Sequence, residues 1–306
     1  MQADLLHVIA IVSNPLRWQS RLRLFRQFAQ HMIASGVQLT TVECALGNRP
    51  FEIPPMHGVN QVHVRHKTLC WHKESLINIG IQRLPRDAQY IAWIDADVEF
   101  RDPNWAAETV QMLQQYPVIQ PWQHAYDLGP GGTHSRVDTS FASLVATGAN
   151  VSPKWNKYDT FGHPGYAWAA RRDALENMGG LFEAAVLGSA DHHMAFAFLG
   201  RVRETAPGDM SAPYLAALDA WQVRALNAAG PHIGYLPATI EHQFHGPKAL
   251  RNYVSRWDIL RTNKYNPVTD IQKNLDGVTE LTGDKPQLRI AIERYFASRN
   301  EDSNTA

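Results

Sequence analysis

Between Leu5 and Trp122 short apolar runs alternate with stretches of helical period, and that alternation leaves the chain few architectures. "LLHVIAIV" reads as a buried strand, with "SNP" after it as a helix-start signal. The next segment spaces Trp18, Leu22, Phe25, Ala29 and Met32 as one face of a helix that Gly36 ends. "VQLTTVECAL" and "NQVHVRH" are further strands, and "HKESLINIGIQRL" is a helix stopped before Pro85. "YIAWIDAD" is another strand, "NWAAETVQMLQQY" a helix capped by Asn104, and "VIQPW" a short strand. Strand and helix in turn predict parallel βαβ units, hence an α/β fold with a mostly parallel sheet flanked by helices.

The pattern dissolves from Gly129 to Pro164 into Gly, Ser, Thr, His and Asn, and a loop of this length is disordered or functional. After it, "GYAWAARRDALENMGGL" reads as strand, helix and glycine stop, and "SADHHMAFAFLG" as a helix with an N-cap signal and an acidic first turn. "PYLAALDAWQVRALNAAG" is a helix, and "HIGYLPATIEHQFHG" gives two short strands. "PKALRNYVSRWDILRTNKY" starts a helix with proline in its first turn, and a last helix runs through "QLRIAIERYFASR". No repeat and no linker interrupts the chain, so we expect one domain over residues 1–250 and a helical extension over 251–306 packed on it.

With 29 basic and 29 acidic residues the charges cancel, which gives no sign of a general polyanion binder and leaves a local basic groove open. Cys44 and Cys70 make neither a disulfide framework nor a metal cluster, and read as buried thiols of a reducing compartment. The opening "MQADLLHVIAIVSNP" is too short in its apolar run to span a bilayer and lacks a basic start. The expectation is a soluble, cytoplasmic protein with no membrane and no protein partner.

Asp95 and Asp97 stand at the end of the most apolar strand. On a strand they point the same way, where two unpaired anions repel, so a positive partner is expected between them. Ligands of an open parallel sheet bind outside the carboxyl ends of its strands. Carboxylates there suit Mg²⁺ or Mn²⁺ completed by the oxygens of a substrate diphosphate; a solvated turn is the plain alternative. In "TIEHQFHG" His242 and His245 lie three apart, so on a strand only one of them reaches a cation. Gly246 favours His245, an imidazole favours Mn²⁺, and His242 stays open between surface and function.

Asp191, near a helix start and preceded by small residues, is either a capping carboxylate or a general base. His192 and His193 are ambiguous, with one of them expected in the core. Lys73 near a helix start is a candidate diphosphate or nucleotide contact, while Glu74 and Asn78 share a helical face that a solvated charged surface explains equally well. Trp168, Tyr166, Trp122 and Trp71 are stacking candidates among aromatics that mostly belong to the core.

Taken together, "WHKESLINIGIQRL…YIAWIDADVEF" and "GHPGYAWAARRDALENMGGL…AVLGSADHHMAFAF" resemble the GT-A fold glycosyltransferases, particularly the beta-1,4-galactosyltransferase type. That family has an N-R-A/G-x-x-x-N-x-G helix, a D-V-D strand end, a G-G-x-x-A-x-x segment and a W-G-G-E-D-D-D segment. Here "HKESLINIG", Asp95 to Asp97, "GYAWAARRDAL" and "LGSADHH" fall on the four in order. Phage-encoded glycosyltransferases, some acting on hydroxymethylated pyrimidines in DNA, are similar too, and the resemblance covers roughly residues 5–250.

The resemblance implies a GT-A (Rossmann-like) sheet and a metal-dependent, inverting hexosyltransferase using a nucleotide-diphosphate sugar, UDP-linked, with Mn²⁺ or Mg²⁺. It implies Asp97 and His245 as metal ligands, and Asp95 as a ligand of the metal's water shell or of the donor ribose. It implies Asp191 as the base that deprotonates the acceptor hydroxyl. Lys73, Asn78 and Trp168 then fall on the donor side. Ala190 departs from the family's acceptor-binding glutamate and Leu187 from its tryptophan.

The acceptor stays open among a modified base in phage DNA, a polysaccharide and a small molecule. For DNA, Lys248, Arg251, Arg256, Arg261 and Lys264 are candidate phosphate contacts, although their spacing spreads them around a helix. The loop from Gly129 to Pro164 is expected to order over the donor. Two other classes compete: a nucleotidyltransferase with the same sheet and carboxylates, and a non-catalytic glycan or nucleic-acid binding protein.

Overall fold

The computed structural model describes residues 3–153, 161–252 and 254–303. In chain order the first elements are β1 (Leu6–Ser13), α1 (Gln19–Ala34), β2 (Gln38–Leu46), β3 (Val59–His66), α2 (Lys73–Arg83) and β4 (Tyr90–Ile94). Next come β5 (Val98–Phe100), α3 (Trp105–Gln115), β6 (Val118–Gln120), β7 (His124–Leu128), β8 (His134–Thr139) and α4 (Phe141–Ala146). They are followed by β9 (Ala167–Arg171), α5 (Arg172–Met178), α6 (Ala190–Ala197), α7 (Ala212–Ala228), β10 (Ile233–Tyr235) and β11 (Thr239–His242). The chain ends with α8 (Arg256–Thr262), β12 (Ile271–Lys273), β13 (Thr279–Leu281) and α9 (Pro286–Ala297).

Seven strands form the central sheet in the order β10-β6-β9-β4-β1-β2-β3. Only β9 runs antiparallel to its neighbours, so the sheet is mostly parallel, as the alternation requires. Helices cover both faces. On one side Phe25, Phe28 and Met32 of α1 and Trp105 of α3 seal against Leu6, Val8 and Leu39; on the other, α2 and α5 to α7 seal against Ile9, Val42 and Ile91. Each fully buried side chain of this size contributes about 1.5–3 kcal/mol of transfer free energy.

A second sheet, β5-β11-β7-β8, sits beyond the carboxyl end of β4. Its presence overturns the plain loop expected from Gly129 to Pro164, which contains β8 and α4; residues 154–160 of that segment lie outside the described residues. The polar composition that hid β8 is that of an edge strand, paired on one side only to β7 and largely exposed.

The C-terminal segment is not purely helical. A β12–β13 hairpin precedes α9, and "KALR" forms a short 3-10 turn (Lys248–Arg251), with α8 beginning at Arg256, not at Pro247. Tyr265, Val278, Leu288, Ile292 and Phe296 of this segment belong to the same core as α2 and α7. Two expected caps also differ. Asn104 makes no side-chain cap of α3, and the N-terminus of α1 is capped from the far end of the chain: Asp302 accepts from Gln19 N and Ser20 N at 2.9 Å each. Asn14 instead closes the preceding turn, its Oδ1 accepting from Trp18 N at 2.9 Å. Among the described residues no helix is long and apolar enough to cross a membrane, and Cys44 and Cys70 are buried free thiols.

Candidate active site

β1 lies between β2 and β4, where the strand order reverses, and a cleft of about 560 Å³ opens outside the carboxyl ends of β1 and β4. Ser13, Asp95 and Asp97 line its floor. The two aspartates do not point the same way. β4 ends at Ile94, Asp95 N donates to Tyr166 O at 2.8 Å, and a tight turn follows in which Val98 N reaches back to Asp95 O. Asp95 forms an ion pair with Lys73, whereas Asp97 faces two histidines. The positive partner expected between the carboxylates is therefore split in two, and Asp95 stands outside the set of side chains that could hold a cation.

That set is Asp97, His242 and His245, whose ligand atoms lie within 4.8 Å of one another. Strand register makes it. His242 is paired with Val98 on β5 and with Asp127 on β7, so the residue before β5 and the end of β11 meet by construction. Asp127 Oδ1 accepts from His242 Nδ1 at 2.7 Å, which orients the ring so that Nε2 faces Asp97. Strand alternation would bring only one of the histidines to this side, but both face Asp97, because β11 ends at His242. Past it the chain turns through Gly246, at φ +87 with a Cβ position 2.9 Å from the Glu301 backbone, and His245 Nε2 comes to 3.1 Å from Asp97 Oδ2.

Burial works to raise the Asp97 carboxyl, but His242, His245 and Arg251 outweigh it and hold the group well below the usual carboxylate range. Its Oδ1 is buried without a hydrogen-bond partner among the described residues, 3.7 Å from His242 Nε2. An anionic oxygen left that way costs several kcal/mol unless a ligand satisfies it. One carboxylate and two imidazoles, with one imidazole oriented by a second carboxylate, is a donor set that fits a divalent transition cation.

The opposite wall comes from α2 and α6. Trp71 N donates to Val186 O at 2.7 Å, tying the start of α2 to the loop that leads into α6. Burial disfavours the charged Lys73 ammonium, yet Asp95 and then Asp191 hold it charged. Asp191 opens α6, its Oδ1 accepting from His192 N at 2.8 Å. Gly165 lies against it: a Cβ there would stand 3.1 Å from Asp191 Oδ2 and 3.0 Å from His163 Cε1. Ser189 does not cap α6. It has φ +83, and its Oγ accepts from Arg256 instead. Tyr166 has φ +72, a cost of about 1–3 kcal/mol for an aromatic residue, and its hydroxyl donates to Asp138 at 2.9 Å while its ring stacks on His163.

Two expected donor contacts are absent from the cleft. Asn78 is buried behind α2, its amide bonded to both the N–H and the carbonyl of Leu181 and to Glu183. Trp168 is a core residue whose Nε1 donates to Pro164 O. Of the aromatics, Tyr166 and Trp71 line the cleft and Trp122 is fully buried. His193 is locked between Thr205 and Tyr214, while His192 is buried at the cleft wall. Of the C-terminal cations, Arg251 and Arg256 turn into the cleft and Arg261 pairs with Asp209 and Asp258; the Lys248 side chain lies outside the described residues.

Asp127, Arg21 and Glu301 were not legible as site residues. Glu301 is buried beside His245 and takes a bidentate bond from Arg21, at 2.7 and 2.9 Å. Nothing local in the sequence marks an acidic residue near the chain end as part of a cleft that begins at β4.

No family model matches the chain, and no curated protein matches it. Among solved structures it is similar to the catalytic domain of Drosophila beta1,4galactosyltransferase 7 in complex with xylobiose, at 15% identity and TM-score 0.41, covering 92% of this chain and 98% of that one. A mutant of the same enzyme in complex with manganese, UDP-Gal and xylobiose matches at 14% identity, TM-score 0.42 and the same coverage. S. aureus TarS 1-349 in complex with UDP-GlcNAc matches at 9% identity and TM-score 0.42, covering 96% of this chain and 81% of that one.

Proposed function

We propose that this protein is an inverting glycosyltransferase that moves a sugar from a nucleotide-diphosphate donor, UDP-linked, to an acceptor hydroxyl. The observation that carries the reading is the convergence of Asp97, His242 and His245 on one floor of a cleft whose facing wall presents Asp191. Asp97, His242 and His245 would hold Mn²⁺ in preference to Mg²⁺, because two of the three are imidazoles, and the bound ion supplies charge neutralisation for a diphosphate leaving group. Asp191 takes the acceptor proton as the acceptor oxygen attacks the anomeric carbon and the bond to the diphosphate breaks on the opposite face. Lys73 keeps Asp95 and the α2 wall in place at the donor end. A carbohydrate hydroxyl is the preferred acceptor over modified DNA, since Arg256 and Arg261 are engaged by Ser189, Asp209 and Asp258. Two free buried thiols suit work in a reducing compartment.

The test is mass spectrometry of the protein incubated with Mn²⁺, pooled nucleotide sugars and an acceptor panel that includes hydroxymethylpyrimidine DNA. Nucleoside diphosphate release with a hexose-sized gain on one acceptor is expected, and Asp191→Asn should lower it about 10²–10⁴-fold while the donor still binds. Pyrophosphate release would make the protein a nucleotidyltransferase; donor binding with neither release nor product would make it a binding protein.

A further inference from the structure

His245 has two claimants for one nitrogen. Its Nε2 stands 3.1 Å from Asp97 Oδ2, where the three cation-facing side chains converge, and Arg251 Nη2 stands 3.0 Å from the same atom. A guanidinium carries N–H donors and no acceptor, so it bonds an imidazole nitrogen only when that nitrogen accepts with its in-plane lone pair. Nε2 and the Asp97 carboxylate are then two acceptors facing one another, and the Arg251 guanidinium is the positive group beside them. The other ring nitrogen agrees with this tautomer, since Glu301 Oε2 lies 3.7 Å from Nδ1, on the side where the proton must be. An imidazole binds a metal ion through that same lone pair. Arg251 and a cation therefore exclude one another at His245 Nε2.

Arg251 is placed to let go. Its backbone is pinned, with Tyr295 Oη of α9 donating to its carbonyl oxygen at 2.9 Å, so the side chain rather than the turn carrying it is the part free to swing. The guanidinium lines the cleft, where a diphosphate would offer it oxygens in the fork geometry that arginine matches.

We propose that Arg251 is an internal competitor of the cation: it holds His245 Nε2 until a diphosphate draws the guanidinium away, so that cation and diphosphate bind cooperatively. This rests on the reading of Asp97, His242 and His245 as a cation site, while the competition stands on the bond between Arg251 and His245. Linkage makes the effect reciprocal: UDP tightens the cation by the same factor as the cation tightens UDP.

The experiment is calorimetric titration of Mn²⁺ into the full chain, alone and with saturating UDP or inorganic pyrophosphate. In wild type each anion should tighten Mn²⁺ by about tenfold or more. Arg251→Met keeps a similar stem and removes the donors. It should bind Mn²⁺ alone about tenfold more tightly than wild type, because no charge-assisted bond has to be broken first, and should lose most of the gain from UDP. Tighter binding after the loss of a side chain is a change that damage to the fold does not produce. Arg256→Met removes an equal charge from the same cleft, one bonded to Ser189 rather than His245, and should change Mn²⁺ affinity less than about threefold. Unchanged or weaker Mn²⁺ binding in Arg251→Met, an equal gain in Arg256→Met, or no coupling between UDP and Mn²⁺ in wild type would each overturn the competition. Where Asp97→Ala abolishes Mn²⁺ binding in that case, the cation site itself stands. Failure of Mn²⁺ to bind wild type and Arg251→Met, with or without UDP, would overturn the cation site and the competition with it.

Discussion

His242 illustrates how one side chain acquires a task from its surroundings. Asp127 claims its Nδ1 proton at 2.7 Å and so turns Nε2, the basic nitrogen, toward Asp97. Asp127→Asn preserves shape but weakens that claim. Mn²⁺ affinity by calorimetry should fall about 10–100-fold, with the fold unchanged by circular dichroism; unaltered affinity would remove Asp127 from the cation's support. Glu74 makes a second residue-scale prediction, on stability. Burial raises its folded-state pKa to about 8, above the ordinary 4.5, so the native chain binds the proton more tightly than the unfolded chain. The associated stability is fully present below about pH 4.5 and is lost as pH rises through about 8. Glu74→Gln cannot ionise. Its melting temperature should match wild type at pH 4 and exceed it at pH 9, where the difference in unfolding free energy should be on the order of a few kcal/mol. Parallel melting curves across that range would show that Glu74 ionises normally.

Among the elements, the strands and helices of the first half were legible because each buries a face with a fixed period, and the ends of β1 and β4 pointed to the cleft before any side chain was placed. What escaped was whatever depends on pairing between distant segments. β8 is an exposed edge strand with no apolar alternation to betray it, and the period-two rule misjudged His242 and His245 because it was carried past the end of β11. The tail after α9 is the extreme case, since its partners lie in α1, at the other end of the chain. Arg21 and Arg299 both pair with Glu301, which is 3% exposed, and Asp302 caps α1. Removing one partner of a buried ion pair leaves the others uncompensated, so Glu301→Ala should cost about 3–5 kcal/mol in chemical denaturation. Asp302→Ala, which removes only the cap, should cost about 0.5–2 kcal/mol. Equal, small effects of the two substitutions would mean that the tail does not dock.

At the scale of the whole molecule the three cation-facing side chains come from parts of the chain that need not stay together. Asp97 lies in the turn between the central sheet and the small one, His242 ends a strand of the small sheet, and His245 sits in the loop that Glu301 of the tail supports. Asp97 Oδ2 meets His245 at 3.1 Å, while its buried Oδ1 has no hydrogen-bond partner among the described residues and stands 3.7 Å from His242. An ion held by all three would bind only the assembled chain, and a ligand that binds only the native state stabilises it by about 2.7 kcal/mol when present at a hundred times its dissociation constant. Saturating Mn²⁺ should therefore raise the melting temperature of wild type by several degrees, with Mg²⁺ doing less because imidazole suits it poorly. Hydrogen exchange should slow in β5, β11 and the tail together, while β2 and β3, away from the ion, change little. Asp97→Ala should abolish both effects. If wild type melts identically with Mn²⁺ and with chelator, the three side chains form a hydrogen-bonded corner of the fold, and the diphosphate must be neutralised by Lys73 and the arginines of the C-terminal segment instead.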